Sequence, residues 1–75
     1  MQLAPEQRLE LDASREQVIA VAAGVVYVAL ADDEVVLTAG DSIAIAAGEP
    51  RRAWNAGDSI AHVVVRAEPA LRLAA

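Results

Sequence analysis

The stretch VIAVAAGVVYVAL, residues 18–30, decides the fold. It carries no charge, and its β-branched members Val18, Ile19, Val21, Val25, Val26 and Val28 do not keep the three-and-four spacing of an amphipathic helix. Alanine, the best helix former, is abundant here, but branched side chains lose rotamer freedom in a helix and fit a pleated surface. Gly24 divides the stretch into two strands, Val18–Ala23 and Val25–Leu30. Upstream, Arg8–Asp12 (RLELD) alternates apolar and charged residues, as a half-exposed strand does. The segment Ala13–Gln17 reads as one helical turn capped by Asp12.

Downstream, short branched runs and turns recur at intervals of about ten residues, the pattern of a sandwich or barrel. Ala31-Asp32-Asp33 turns into Val35–Thr38, and Gly40-Asp41 turns into Ile43–Ala46. Gly48-Glu49-Pro50 leads into Arg51–Trp54, and Asn55-Ala56-Gly57-Asp58 is the strongest turn signal of the chain. Ile60–Ala67 is the last long strand; Pro69 stops it, and Leu71–Leu73 adds a short edge. Residues 1–75 therefore form one all-β domain, an antiparallel barrel or jelly-roll sandwich. Its expected core is Val26, Val28, Leu30, Val35, Leu37, Ile43 and Ile45.

Composition limits what such a domain does. With 6 Arg, no Lys and 11 acidic residues, the net charge of −5 argues against binding to nucleic acid or to anionic membranes. The apolar run from Val18 is shorter than the roughly 20 residues a membrane helix needs. Glu6, Glu10, Asp12 and Glu16 precede it where a signal peptide needs positive charge, so a cytoplasmic location is expected. There is no cysteine and a single histidine, His62, so neither disulfides nor a multi-histidine metal site can support the fold. No metal and no other cofactor is expected. Oligomerisation remains as the support for so small a domain.

The turns carry a family resemblance. Gly40, Ala46, Gly48, Arg51 and Asn55 stand at the spacing of a motif that reads G, five residues, P-x-G, two residues, H, three residues, N. This is the second conserved motif of the cupins, and the chain resembles that family from Gly24 to Asn55. Ala46 takes the proline position and Arg51 the position of a metal-binding histidine. Gly24 matches the end of the family's first motif, which puts Gln17 in the place of its glutamate ligand. The paired histidines of that motif fall at Leu11 and Ala13, or at Glu10 and Asp12 in the longer spacing. The resemblance thus implies the cupin barrel with all four metal ligands replaced, and none of the family's metal-dependent chemistry.

Three candidate ligand-binding residues follow. Arg51, in the lost-histidine position, is expected to point into the barrel mouth, where the inward strand residues offer no acid and a small anion or rim water would satisfy it. Trp54, the single tryptophan, suits stacking on a ligand or anchoring an interface. His62 is a candidate base, although it alternates with the cleaner apolar face of Ala61, Val63 and Val65. No nucleophile–base pair is present, so no catalytic residue is assigned. Asp32-Asp33-Glu34 reads as a solvated hairpin tip. Tyr27 and the apolar outer faces around Val18–Ala23, with Val18, Ala20 and Ala22, are expected to be buried against a second copy of the chain, because strands apolar on both faces need two covers. The reading is a metal-free, non-catalytic module for a small ligand or for regulation, working as a homodimer. The alternatives are an enzyme that binds and deprotonates a small acid through Arg51 and His62, and a structural interaction module.

Overall fold

Period-two burial runs through nearly every strand of the domain. The computed structural model describes residues 1–67, in which seven strands form two antiparallel sheets. The strands are β1 (Gln2–Leu3), β2 (Gln17–Ala23), β3 (Val26–Leu30), β4 (Glu34–Leu37), β5 (Ser42–Ile45), β6 (Arg51–Asn55) and β7 (Ala61–Ala67). One sheet runs β1-β7-β2-β5 and the other β4-β3-β6. No helix occurs among the described residues. The expected edge at Leu71–Leu73 and its stop at Pro69 lie outside the described residues.

The inward faces of the two sheets meet in one core. Ile19, Val21 and Val63 come from the first sheet and Val26, Val28, Leu37 and Ala53 from the second, all essentially without solvent contact. Ile45, Ala61, Leu3 and Leu9 complete it. Leu30, Val35 and Ile43, expected as core, are half-buried residues packed against it. Side chains fill the space between the sheets, and the concavities bounded by described residues are shallow surface clefts.

Two expectations change locally. Residues 8–12 keep the expected alternation, with Leu9 buried and Leu11 half-buried, but only Arg8 makes a ladder bridge, to Trp54. This segment lies along the outer edge of β6, where Leu9 N donates to Ala53 O at 2.9 Å and Asn55 N to Gln7 O at 3.0 Å. Ala13–Gln17 is a turn and not a helical turn. Asp12 Oδ1 accepts from Ser14 N at 3.0 Å and from its Oγ at 2.6 Å, and Gln17 already opens β2. Those bonds hold the Asp12 carboxyl below its ordinary range, the hydroxyl contributing most.

Gly24 makes the corner from β2 to β3, which carries the chain from one sheet to the other. Its φ of +95° is open to glycine, and a Cβ there would lie 2.7 Å from both Cα and Cβ of Ala61. Only glycine lets β7 close against this corner.

Candidate functional site

Arg51 and Asn55 stand at the two ends of β6, and both face inward because their spacing of four keeps them on one side of the strand. Arg51 pairs with Leu30 at the last rung of the β3–β6 ladder. Its guanidinium crosses to the other sheet and to the loops at that end of the sandwich. Nε donates to Glu49 O at 3.0 Å, Nη1 to Arg15 O at 2.8 Å and to Gln17 Oε1 at 2.9 Å. Nη2 donates to Ala46 O and, at 3.5 Å, to Ala13 O. All five donors of the fork are engaged within the chain. Arg51 does point into the mouth, as its spacing requires. The small anion expected beside it is replaced by four backbone carbonyls and one side-chain amide.

The residue it meets is the other informative one. Gln17 is buried, and its Oε1 also accepts from Asp12 N at 3.2 Å. Gln17 and Arg51 are the positions matched above to two metal ligands, and the fold brings them into direct contact. They do not suit a metal. A guanidinium carries positive charge and no lone pair for coordination, and the Gln17 oxygen is already shared by two N–H groups. No cluster of three metal-ligating side chains occurs among the described residues.

Asn55 closes the opposite end and is completely buried. Its Nδ2 donates to Leu3 O at 2.9 Å and to Ser59 O at 2.8 Å, while Oδ1 accepts from Gly57 N at 2.8 Å. The sequence marks it as a turn residue and as the asparagine that closes the second motif. Here it ties β1, the end of β6 and the turn into β7 together.

The three candidate ligand residues are not gathered into one site. Trp54 is three positions from Arg51, so strand alternation puts it on the outer face of the β4-β3-β6 sheet. His62 is exposed on the outer face of the other sheet, between the buried Ala61 and Val63. The interface quartet also divides. Val18, Ala20 and Ala22 alternate with the buried Ile19 and Val21 and lie on the outside of the β1-β7-β2-β5 sheet. Tyr27 alternates with Val26 and Val28 and lies on the outside of the other. Sheets packed inner face to inner face turn these outer faces away from each other, so one docking surface cannot hold all four.

The outer face of the β4-β3-β6 sheet carries features the sequence reading did not assemble. Tyr27 lies beside Trp54 with ring centroids 4.8 Å apart and planes tilted by 31°. Register places Val36 on the other side of Tyr27, and it places Glu34 and Arg52 on either side of Ala29. Arg8 pairs with Trp54 beyond β6, and a shallow cleft there is lined by Glu6, Arg8, Arg52 and Trp54. The neighbouring Glu34 carboxylate raises the Tyr27 phenol above its ordinary value, with partial burial adding to this and Arg52 opposing it. The legible signal for this face was alternation itself, since residues 27, 29, 36, 52 and 54 are outward positions of three predicted strands; Glu34, read as part of the hairpin tip, opens β4 instead.

These observations define a class: a two-sheet antiparallel jelly-roll whose mouth is closed by its own side chains. The family model described as "Cupin domain" matches residues 1–66, and the chain belongs to that family. Among solved structures, TT1209 of Thermus thermophilus superposes with a TM-score of 0.80 at 26% identity, covering 91% of this chain and 67% of that one. SPY1581 of Streptococcus pyogenes, a protein of unknown function, gives 0.73 at 14% identity over 93% and 61% of the two chains, a likeness of fold alone. Drosophila melanogaster CENP-C bound to CAL1 gives 0.68 at 27% identity over 87% and 58%. The chain thus spans roughly three fifths to two thirds of these proteins' lengths. No curated protein matches it.

Proposed function

We propose that this domain is a non-catalytic interaction module of the cupin fold that associates with itself as a homodimer, and that it works through an outer sheet face. The observation that carries this reading is Arg51. At the end of the sandwich where a ligand would enter, its guanidinium has every donor engaged within the chain, and side chains fill the space behind it. A mouth occupied in this way has little to offer a small substrate. The enzyme alternative weakens for the same reason, since Arg51 and His62 lie on different sheets and face different ways. No helix of the described residues is long and apolar enough to cross a membrane. A cytoplasmic location stays part of the proposal. The CENP-C structure of similar fold was solved bound to a different protein, CAL1, which supports protein interaction as a use of this fold but not self-association.

Sedimentation velocity over a concentration series tests the reading. A dimer at micromolar concentration is the expected result, and a monomer throughout the series defeats it. A second reading is favoured by the cleft in which Arg8 and Arg52 flank Trp54: two guanidiniums beside an indole would hold a small anion. Saturable quenching of Trp54 fluorescence by benzoate or inorganic phosphate, with no change in mass, would favour that reading instead.

A further inference from the structure

We infer that the dimer forms through the outer face of the β4-β3-β6 sheet, with its two-fold axis lying along β3 and a second copy of this chain as the occupant. The inference rests on the self-association proposed above and adds the surface and the symmetry.

Register carries the argument. Two neighbouring rows cross this face at right angles to the strands. One reads Glu34, Ala29, Arg52 and the other Val36, Tyr27, Trp54. Within the three strands both are centred on β3, with an acid and a valine on β4 and a base and an indole on β6, and Arg8 lies one position beyond Trp54. A two-fold axis along β3 turns the second copy over and exchanges the ends of every row. Glu34 then lies over Arg52 of the second copy, Val36 lies over its Trp54, and each contact occurs twice. The two tyrosines meet at the axis.

The other in-plane axis, perpendicular to the strands, lays β4 over β4 and β6 over β6. Along the first row it sets acid on acid and base on base, and between the rows it sets Glu34 over Val36 and Arg52 over Trp54, so only the axis along β3 pairs the acid with the base. Sheet twist does not spoil the match. Packed sheets cross at about 30°, and the row ends lie one strand spacing, about 4.8 Å, from the axis, so they are displaced by only about 2–3 Å. An arginine side chain spans that easily.

The residues also suit an interface energetically. Tryptophan, tyrosine and arginine dominate interface hot spots, and this face holds the chain's one tryptophan and one tyrosine with two arginines. Val36 is 55% exposed, a large apolar residue with nothing in the described chain to cover it. The outer face of the other sheet offers less. Its central rows among the described residues read Arg66, Val18, Ala44 and Val64, Ala20, Ser42; neither row holds an acid opposite a base, and Val64, 50% exposed, has only Ala20 and Ser42 beside it in its row.

The test is sedimentation velocity on E34R, R52E, the double variant E34R/R52E, V36R and A20R, with circular dichroism to confirm each fold. Each single charge reversal should weaken dimerisation at least about tenfold, because it juxtaposes like charges at two symmetric contacts. The double variant should regain most of the loss, a rescue that a damaged fold would not give. V36R, at an exposed position, should also dissociate the dimer, and A20R, on the opposite sheet, should leave it intact. Dimers that persist unchanged in E34R, R52E and V36R, or that fall apart in A20R alone, overturn the proposed face while self-association stands. A wild-type monomer overturns both.

Discussion

Replacing Arg51 with alanine removes five hydrogen bonds that join β6 to the loops and to the opposite sheet. Those to Glu49 O and Gln17 Oε1 lie in partly buried surroundings, whereas the carbonyls of Ala13, Arg15 and Ala46 are more open and can turn to water. Counting about 1.5 kcal/mol for each of the two protected charge-assisted bonds, and little for the rest, gives about 3 kcal/mol. A chain of 75 residues, at roughly 0.05–0.15 kcal/mol per residue, has only about 4–11 kcal/mol in total. The loss should lower Tm by roughly 12–24 °C for a domain of this size. Thermal and urea unfolding followed by circular dichroism would read it. Arg51→Lys keeps the charge but not the planar fork, so it should recover less than half of the loss. A loss below about 1 kcal/mol for R51A, or full recovery in R51K, would refute the view that this residue braces the fold.

Other expectations follow from the same structure. Gly24→Ala forces a Cβ against the Ala61 backbone at a φ of +95° and should cost about 3 kcal/mol or more, read as a large fall in the urea midpoint. Asn55→Ala leaves Leu3 O and Ser59 O without their donor and should cost about 2–4 kcal/mol, whereas exposed Ser42→Ala should move the midpoint very little. Tyr27, the single tyrosine, should ionise above its ordinary value of 10.0 when tyrosinate absorbance is titrated, and Glu34→Gln should bring the midpoint back down. Its proton is held more tightly in the folded state, so its contribution to stability is complete below the unfolded pKa and is lost as pH rises through the folded value.

Much of the fold could be read from the chain because alternation is a local property. The β-branched residues of 18–30 established strands over helix, and the turn spacing located six of the seven strands within a residue or two. β1 escaped notice because two residues show no periodicity, and its partners His62 and Ala61 lie far along the chain. Sheet membership was not legible either. Val18–Ala23 and Val25–Leu30 look like one hairpin, but the Gly24 corner sends them to different sheets, and so an interface spanning both dissolves in the structure.

Arg51 shows where local reading stops. Its spacing placed it in the mouth, as found. Its partners are carbonyls of irregular segments near Ala13, Arg15 and Ala46, whose directions no side-chain pattern encodes. The separation of Arg51 from Trp54 was available in advance, since a spacing of three puts strand residues on opposite faces.

The central claim is that two positions matched to metal ligands now brace the fold by bonding to each other. A double-mutant cycle on Gln17→Leu and Arg51→Met measures this directly from urea unfolding of the wild type, both single variants and the double. A charge-assisted bond of 2.9 Å in partly buried surroundings predicts a coupling of about 1.5–3 kcal/mol. Single effects that add to within about 0.5 kcal/mol would contradict the account.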